Sequence, residues 1–295
     1  MNIEAISGSA TVAIACTFVF LLAAKSWHLV ARSMSAHPNF PDAIMREAAQ
    51  RFRDELETLS RKQSTYLGAG LMFVFIFAVA HTFEAHQLFE GYPAWQLYVL
   101  LATLLAAAGF ALYRLVRTIR QWRQVRFLRD ANIAVGHSLQ RIAVGHGRVF
   151  HDVVTPAGVV DHVIVGPGGI YAINVVAHRA MRRESVQLAD SELRFNPDGK
   201  TISIVDIASI TTRLEQEFRD LLRNSVRVRS VIAVPGWHAE AQSSDGHLVV
   251  NERTLPMIRG WRDEADYLMD EDVQTLHQHL TKTCKRSPAA RRRSK

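Results

Sequence analysis

Within the stretch VVDHVIVGPGGIYAINVVAHR, residues 159–179, three side chains are spaced to meet across a hairpin. Two short apolar runs, VVDHVIV and IYAINVV, flank the turn GPGG; Asp161 belongs to the first, Asn174 and Val176 to the second. Residues two apart on a strand share one face of the sheet, so Asn174 and Val176 point the same way, beside the Asp of the neighbouring strand. A carboxylate so placed is the kind of group that ligates a hard cation such as Mg²⁺ in metal-assisted hydrolysis. Its neighbours argue against that use. Asn contributes only a neutral oxygen and Val contributes nothing, so Asp161 would be the single charged metal ligand and Mg²⁺ would be held poorly. An Asp at a strand start also has a structural use, capping a turn or pairing with an arginine.

Other patterns that could carry chemistry are weaker. GPGG at 166–169 is glycine-rich, but no helix and no Gly-Lys-Ser/Thr follow it, so it is a hairpin turn rather than a phosphate loop. His137, His146, His151 and His162 match no zinc spacing and are expected to be scattered surface or half-buried histidines. Cys16 lies in an apolar stretch and Cys284 near the tail, so they are not expected to pair. That fits a reducing compartment for the globular part and excludes a cysteine-based metal site.

The hairpin needs a scaffold, and the second half of the chain supplies one. From about residue 130 the pattern predicts a helix at 132–144 and strands at 149–154, 159–165 and 170–176. A polar loop or edge hairpin follows at 182–199, then a helix at 205–222 in which Ile207, Ile210, Leu214, Phe218 and Leu221 recur at helical spacing. Strands at 227–234 and 247–251 and a helix at 270–283 complete an α/β domain with a mixed β-sheet flanked by helices. The tail, 284–295, is basic, contains no acid and is expected to be disordered.

Residues 1–113 have a different character. Three windows, 5–24, 63–83 and 92–113, contain no Asp, Glu, Lys or Arg. Each is long enough as a helix to cross a hydrocarbon core of about 30 Å at about 1.5 Å per residue. They predict an α-helical three-span membrane anchor. No Lys or Arg precedes the first window, so it is not a cleavable signal. The windows hold no ionisable group but His81 near an end, which speaks against a transport or proton pathway. Residues 42–62 form an amphipathic pattern, with Met45, Ala48, Ala49, Phe52, Leu56 and Leu59 at helical spacing. It fits a helix on the membrane surface, one packed on the soluble domain, or a solvated connector.

Basic residues are distributed unevenly. Lys25, Arg32, Arg46, Arg51, Arg53, Arg61 and Lys62 lie between the first two windows, and no Lys or Arg lies between the second and third. The positive-inside rule then places the N-terminus outside and the C-terminal domain in the cytoplasm, at the inner membrane. Arg114, Arg117, Arg120, Arg123, Arg126 and Arg129 recur every third residue, a spacing that precesses around a helix. Residues 114–129 are therefore expected to be a basic juxtamembrane helix whose arginines snorkel to anionic lipid headgroups. The same charge would serve DNA or RNA, and the net charge of +7 does not choose between them.

The run FHDV, VDHVIVGPGGIYAINV, the RFNPDGK that precedes a long helix, and VIAVPG together resemble the nuclease-related domain family, NERD, of the PD-(D/E)xK nuclease superfamily. The resemblance covers roughly 130–283. It implies a restriction-endonuclease-like fold and a site where acidic ligands converge on Mg²⁺ beside a Lys that positions or activates water. Asp161 falls on the family's Asp position. Asn174 stands where a Glu is expected, Val176 where a Lys is expected, and Gly136-His137 where the first helix commonly carries Gly-Glu.

Three readings follow from these residues. The chain is a membrane-anchored, cytoplasmic NERD-like module with a degenerate site, needing no cofactor and binding nucleic acid or a protein partner. Or it is an active Mg²⁺-dependent phosphodiester hydrolase that draws relocated ligands from Glu184, Glu192 or Lys200. Or it is a structural membrane protein without nucleic-acid contact.

Overall fold

The charge-free windows and the alternating runs fold into different units. One comprises Met1–Asn39 and Asp54–Val125, the other Phe40–Arg53 and Arg126–Lys295. The structure, a computed structural model, describes residues 3–34, 45–83, 93–144, 147–179, 185–239, 242–244, 246–261, 263 and 266–285. His146, Glu184, the start of the 42–62 segment and the tail from 286 lie outside them.

Three helices dominate the first part of the chain: α1 (Ile3–Met34), α2 (Gln50–Thr82) and α3 (Ala94–Ala143). The expectation of three membrane spans needs correction. Among the described residues one helix, α2, is long and apolar enough to cross a membrane, and Gly8–Ala23 within α1 is a shorter apolar stretch. Only 6% of the most apolar window of α2 is buried, whereas a core helix of a soluble protein would be largely enclosed. Phe18, Leu71, Phe75 and Phe110 are likewise exposed.

Two helix boundaries also differ from expectation. The third window, the basic segment and the 132–144 helix are one element, α3, of 50 residues. No proline falls inside it, so nothing in the backbone chemistry breaks it. Conversely, the described part of the amphipathic pattern at 42–62, from Met45, is helical only from Gln50; Ala49 adopts a left-handed φ of 61°, and Met45 bridges Lys285 instead.

The second unit is built on a six-stranded mixed sheet. Its strands are β1 (Arg148–Thr155), β2 (Gly158–Gly166), β3 (Gly169–Val175), β7 (Val228–Ala233), β8 (Gln242–Ser244) and β9 (His247–Val250), in the order β1-β2-β3-β7-β9-β8. β1, β2 and β3 are antiparallel neighbours, β3–β7 and β7–β9 are parallel, and β8 closes the edge antiparallel. β7 is buried at every position, as expected for a strand covered on both faces. One face carries α4 (Val205–Leu222) and α5 (Asp270–Thr283), whose Leu214, Phe218, Leu276 and Leu280 pack on Phe150, Val163, Ile170 and Ala172. Burying a side chain such as Phe218 contributes about 1.5–3 kcal/mol. The other face carries Val135, Leu139 and Ala143 of α3 and the 3-10 helix Leu255–Gly260, packed on Ile164, Tyr171, Ile173 and Val231.

Of the two forms expected for 182–199, polar loop or edge hairpin, the described residues form the hairpin, β4 (Ser185–Ala189) and β5 (Glu192–Asn196), which β6 (Lys200–Ser203) extends into a second sheet. Val186, Leu188, Leu193 and Phe195 alternate with polar neighbours and bury one face against Trp237 and Val234. The GPGG turn is the hairpin turn expected, with Gly166 paired to Gly169. Gly169 has φ 116°, and a Cβ there would lie 3.2 Å from the Asp266 carbonyl oxygen.

Candidate functional site

The site is assembled where β1 and β2 lose their alternation. Phe150 and Val153 on β1 and Val160 and Val163 on β2 all pack into the core on the α4–α5 face. Residues three apart cannot share a face in a regular strand. Each strand therefore changes phase between them, and Asp152 takes a left-handed φ of 51°. The dipeptides at the phase change are His151-Asp152 and Asp161-His162. The register pairs His151 with His162 and Val153 with Val160, so Asp152 lies opposite Asp161.

The two histidines lie against Gly136 of α3. A Cβ on that glycine would come within 3.4 Å of the His162 ring and 3.6 Å of the His151 ring. Their Nδ1 atoms are 2.8 Å apart and the rings meet edge to face. Two ring nitrogens at that distance require one donor and one acceptor. Burial pulls His151 down to about 4, helped by His137, and pulls His162 down to about 3, helped by His151. Both rings are neutral at physiological pH.

The two carboxylates are held by the first turn of α2 and the segment that leads into it. Arg51 Nη2 donates to Asp161 Oδ1, and the Val175 backbone N–H donates to Asp161 Oδ2 at 2.7 Å. The Arg51 backbone N–H donates to Asp152 Oδ2 at 3.0 Å, and Arg46 Nη1 donates to the Asp152 carbonyl at 2.6 Å. Burial pushes Asp161 up to about 6, while Arg51 and the Val175 N–H pull it back and Asp152 raises it further. Burial likewise raises Asp152, against the pull of Arg51 and Arg46.

The remaining positions fall around this cluster in different ways. His137 is exposed on α3. Asn174 is buried, pairs with Ile232 across the parallel ladder, and its amide Nδ2 has no hydrogen-bond partner. Val176 is half-buried and packs against the hydrophobic cluster that includes Ile232, Val234 and Trp237. Among the described residues no side-chain hydrogen bond or ion pair joins Asn174 or Val176 to Asp161. The backbone between them does, through Val175. Glu192 and Lys200 belong to the second sheet. Arg114, Arg117, Arg120, Arg123 and Arg126 are exposed and Arg129 is half-buried; Arg114 lies over the Phe110 ring and Arg129 pairs with Asp130 at 2.6 Å.

These residues do not fit Mg²⁺. Both oxygens of Asp161 are engaged, one by a guanidinium whose charge repels a cation. Among the described residues no group of three or more His, Cys, Asp or Glu is placed to hold a metal ion. A hard cation needs several oxygen ligands, and of the two carboxylates only Asp152 Oδ1 lacks a hydrogen-bond partner, with Arg51 Nε 3.7 Å away.

Type and spacing pointed to Arg46 and Arg51 only as basic residues and to His151 and His162 only as scattered surface or half-buried histidines; the two histidines are instead buried in contact with each other, which corrects that expectation, and Asp152 was not singled out. The pair had a signal: HD at 151–152 and DH at 161–162 are mirror images about the turn at 156–157, and a hairpin folded there brings like residues opposite one another. Arg51 had none, because its partner lies 110 residues away.

Residues 129–235 match the family model of the nuclease-related domain, NERD, over about a third of the chain. The chain matches no curated protein and no solved structure. The matched region runs from the later part of α3 through β7 and contains Asp152, Asp161, Asn174 and Val176, so the carboxylates and histidines of the cluster sit inside a domain similar to NERD and of nuclease-like fold, while Arg46 and Arg51 lie outside the match.

Proposed function

We propose that this chain is a membrane-anchored nuclease-fold module that binds nucleic acid without cutting it. One observation carries the reading: both oxygens of Asp161, on the family's Asp position, are engaged by Arg51 and the Val175 N–H. Asn174 and Val176 add no charge at the positions where Glu and Lys are expected. The anchor is α2, the one long apolar helix among the described residues. By the positive-inside rule, the basic residues before α2 and along 114–129 favour the cytoplasmic side for the α/β unit. Arg114, Arg117, Arg120, Arg123, Arg126 and Arg129 then meet anionic headgroups, and the nuclease-like unit meets DNA or RNA through phosphate contacts.

The test is incubation of the detergent-solubilised chain with plasmid DNA and RNA in Mg²⁺ or Mn²⁺. The expected result is salt-dependent binding with intact product. Metal-dependent cleavage abolished by Asp161→Ala would favour the relocated-ligand enzyme instead.

A further inference from the structure

The segment that leads into α2, with its first turn, packs over Asp152 and Asp161 as part of the α/β unit, and its contacts are specific. Met45 bridges Lys285, and the Arg46 N–H donates to the Cys284 carbonyl at 3.0 Å. Ala48, Ala49 and Gln50 are buried. The seat under Ala48 exists because residue 136 is glycine: a Cβ there would lie 2.9 Å from the Ala48 Cβ, closer than two carbons can approach. Arg51 then reaches both carboxylates.

We propose that residues 45–53 are an intramolecular strap that fills the carboxylate cleft, with Arg51 as its built-in cation, and that the strap is releasable. The inference rests on reading the centre as non-hydrolytic, since it gives the two aspartates a different role, that of docking the head of α2. Two features make the closed state poised rather than fixed. Arg51 is 37% exposed along its side chain, so water can replace its contacts. Arg51 Nε and Asp152 Oδ1 lie 3.7 Å apart and neither has a hydrogen-bond partner, so the closed state carries unsatisfied polar atoms that opening would hydrate. Release of residues 45–53 withdraws the guanidinium from Asp152 and Asp161 and uncovers both carboxylates.

Hydrogen exchange of the full chain in detergent micelles tests this. Arg51→Gln removes the cation, and Gly136→Ala removes the seat without touching a charge. Both should speed amide exchange over residues 45–53 by roughly tenfold or more, with β7 as protected as in the unaltered chain. Arg51→Lys, which keeps the charge but loses the fork, should give an intermediate rate. If Arg51→Gln also exposes β7, the comparison passes to Gly136→Ala and Arg51→Lys. Unchanged exchange over 45–53 with β7 protected would overturn the strap. Metal-dependent cleavage by the unaltered chain would strike the non-hydrolytic reading alone, because the exchange result does not depend on it.

Discussion

Two arginines in the α/β unit each bridge a pair of aspartates, at opposite ends of β3, and the two clusters are built in opposite senses. Arg229 is fixed on the central strand β7 with its side chain 7% exposed, and the aspartates come to it from a loop. It donates from Nε to Asp266 and from Nη2 to Asp263, both at 2.6 Å, with the Trp261 ring 4.8 Å away. Burial works against its charge, yet Asp266 and Asp263 outweigh it and raise its pKa. At the other end the aspartates are fixed on β1 and β2 and the arginine arrives from outside, half in water. There burial wins: both carboxylates are raised. The first cluster is a compensated staple. The second is a carboxylate pair short of counter-charge, and its arginine is the removable part.

The largest effect should come from the staple. Arg229→Gln leaves Asp266 buried without its partner and should cost about 3–5 kcal/mol, read from chemical denaturation. A loss below about 1 kcal/mol would mean that the two clusters do not differ as described.

Next comes pH. The folded values of His151 and His162 lie below the ordinary 6.5, so the unfolded chain binds more protons than the folded one as pH falls from 6.5 toward 4. Stability is present above 6.5 and lost on acidification, by up to about 1.4 kcal/mol per pH unit for each histidine. Asp161 acts in the opposite sense. Its folded value is raised, so its contribution is present below 3.8 and lost as pH rises through about 6, which offsets part of the histidine effect. His162→Gln should flatten the fall of the unfolding midpoint between pH 6.5 and 4; an unchanged slope would remove the buried neutral pair from the account.

Gly136→Ala should cost about 1–3 kcal/mol, because the added methyl meets Ala48 at 2.9 Å. Arg51→Gln should cost least, about 1 kcal/mol at pH 7.5 after discounting for its exposure. That cost should shrink below pH 6, where Asp161 takes up a proton in place of the arginine. Arg229→Gln should show no comparable relief. Equal pH dependence in the two variants would erase the distinction between staple and strap.

What the sequence disclosed and what it withheld follow one physical line. The hairpin around GPGG, the helix α4 and the strand β7 were legible because each depends on local periodicity, two residues per repeat for the strands and 3.6 for the helix. The second sheet carried the same period-two signal in Val186, Leu188, Leu193 and Phe195, masked by the charged residues between them. The family position of Asp161 was legible from its hairpin. Its counter-ion was not, since nothing near Arg51 or Asp161 specifies a partner 110 residues distant. Gly136 shows the same limit. Its type suggested the remnant of a motif, whereas its environment shows a methyl-sized gap that seats Ala48.

The central claim is that protein groups hold Asp161 in place of a metal, and Mn²⁺ titration of the full chain followed by electron paramagnetic resonance addresses it most directly. The account predicts no site tighter than about 1 mM, with the same spectrum for the unaltered chain and for Asp161→Ala. One Mn²⁺ bound per chain at micromolar concentration, and lost in Asp161→Ala, would contradict it.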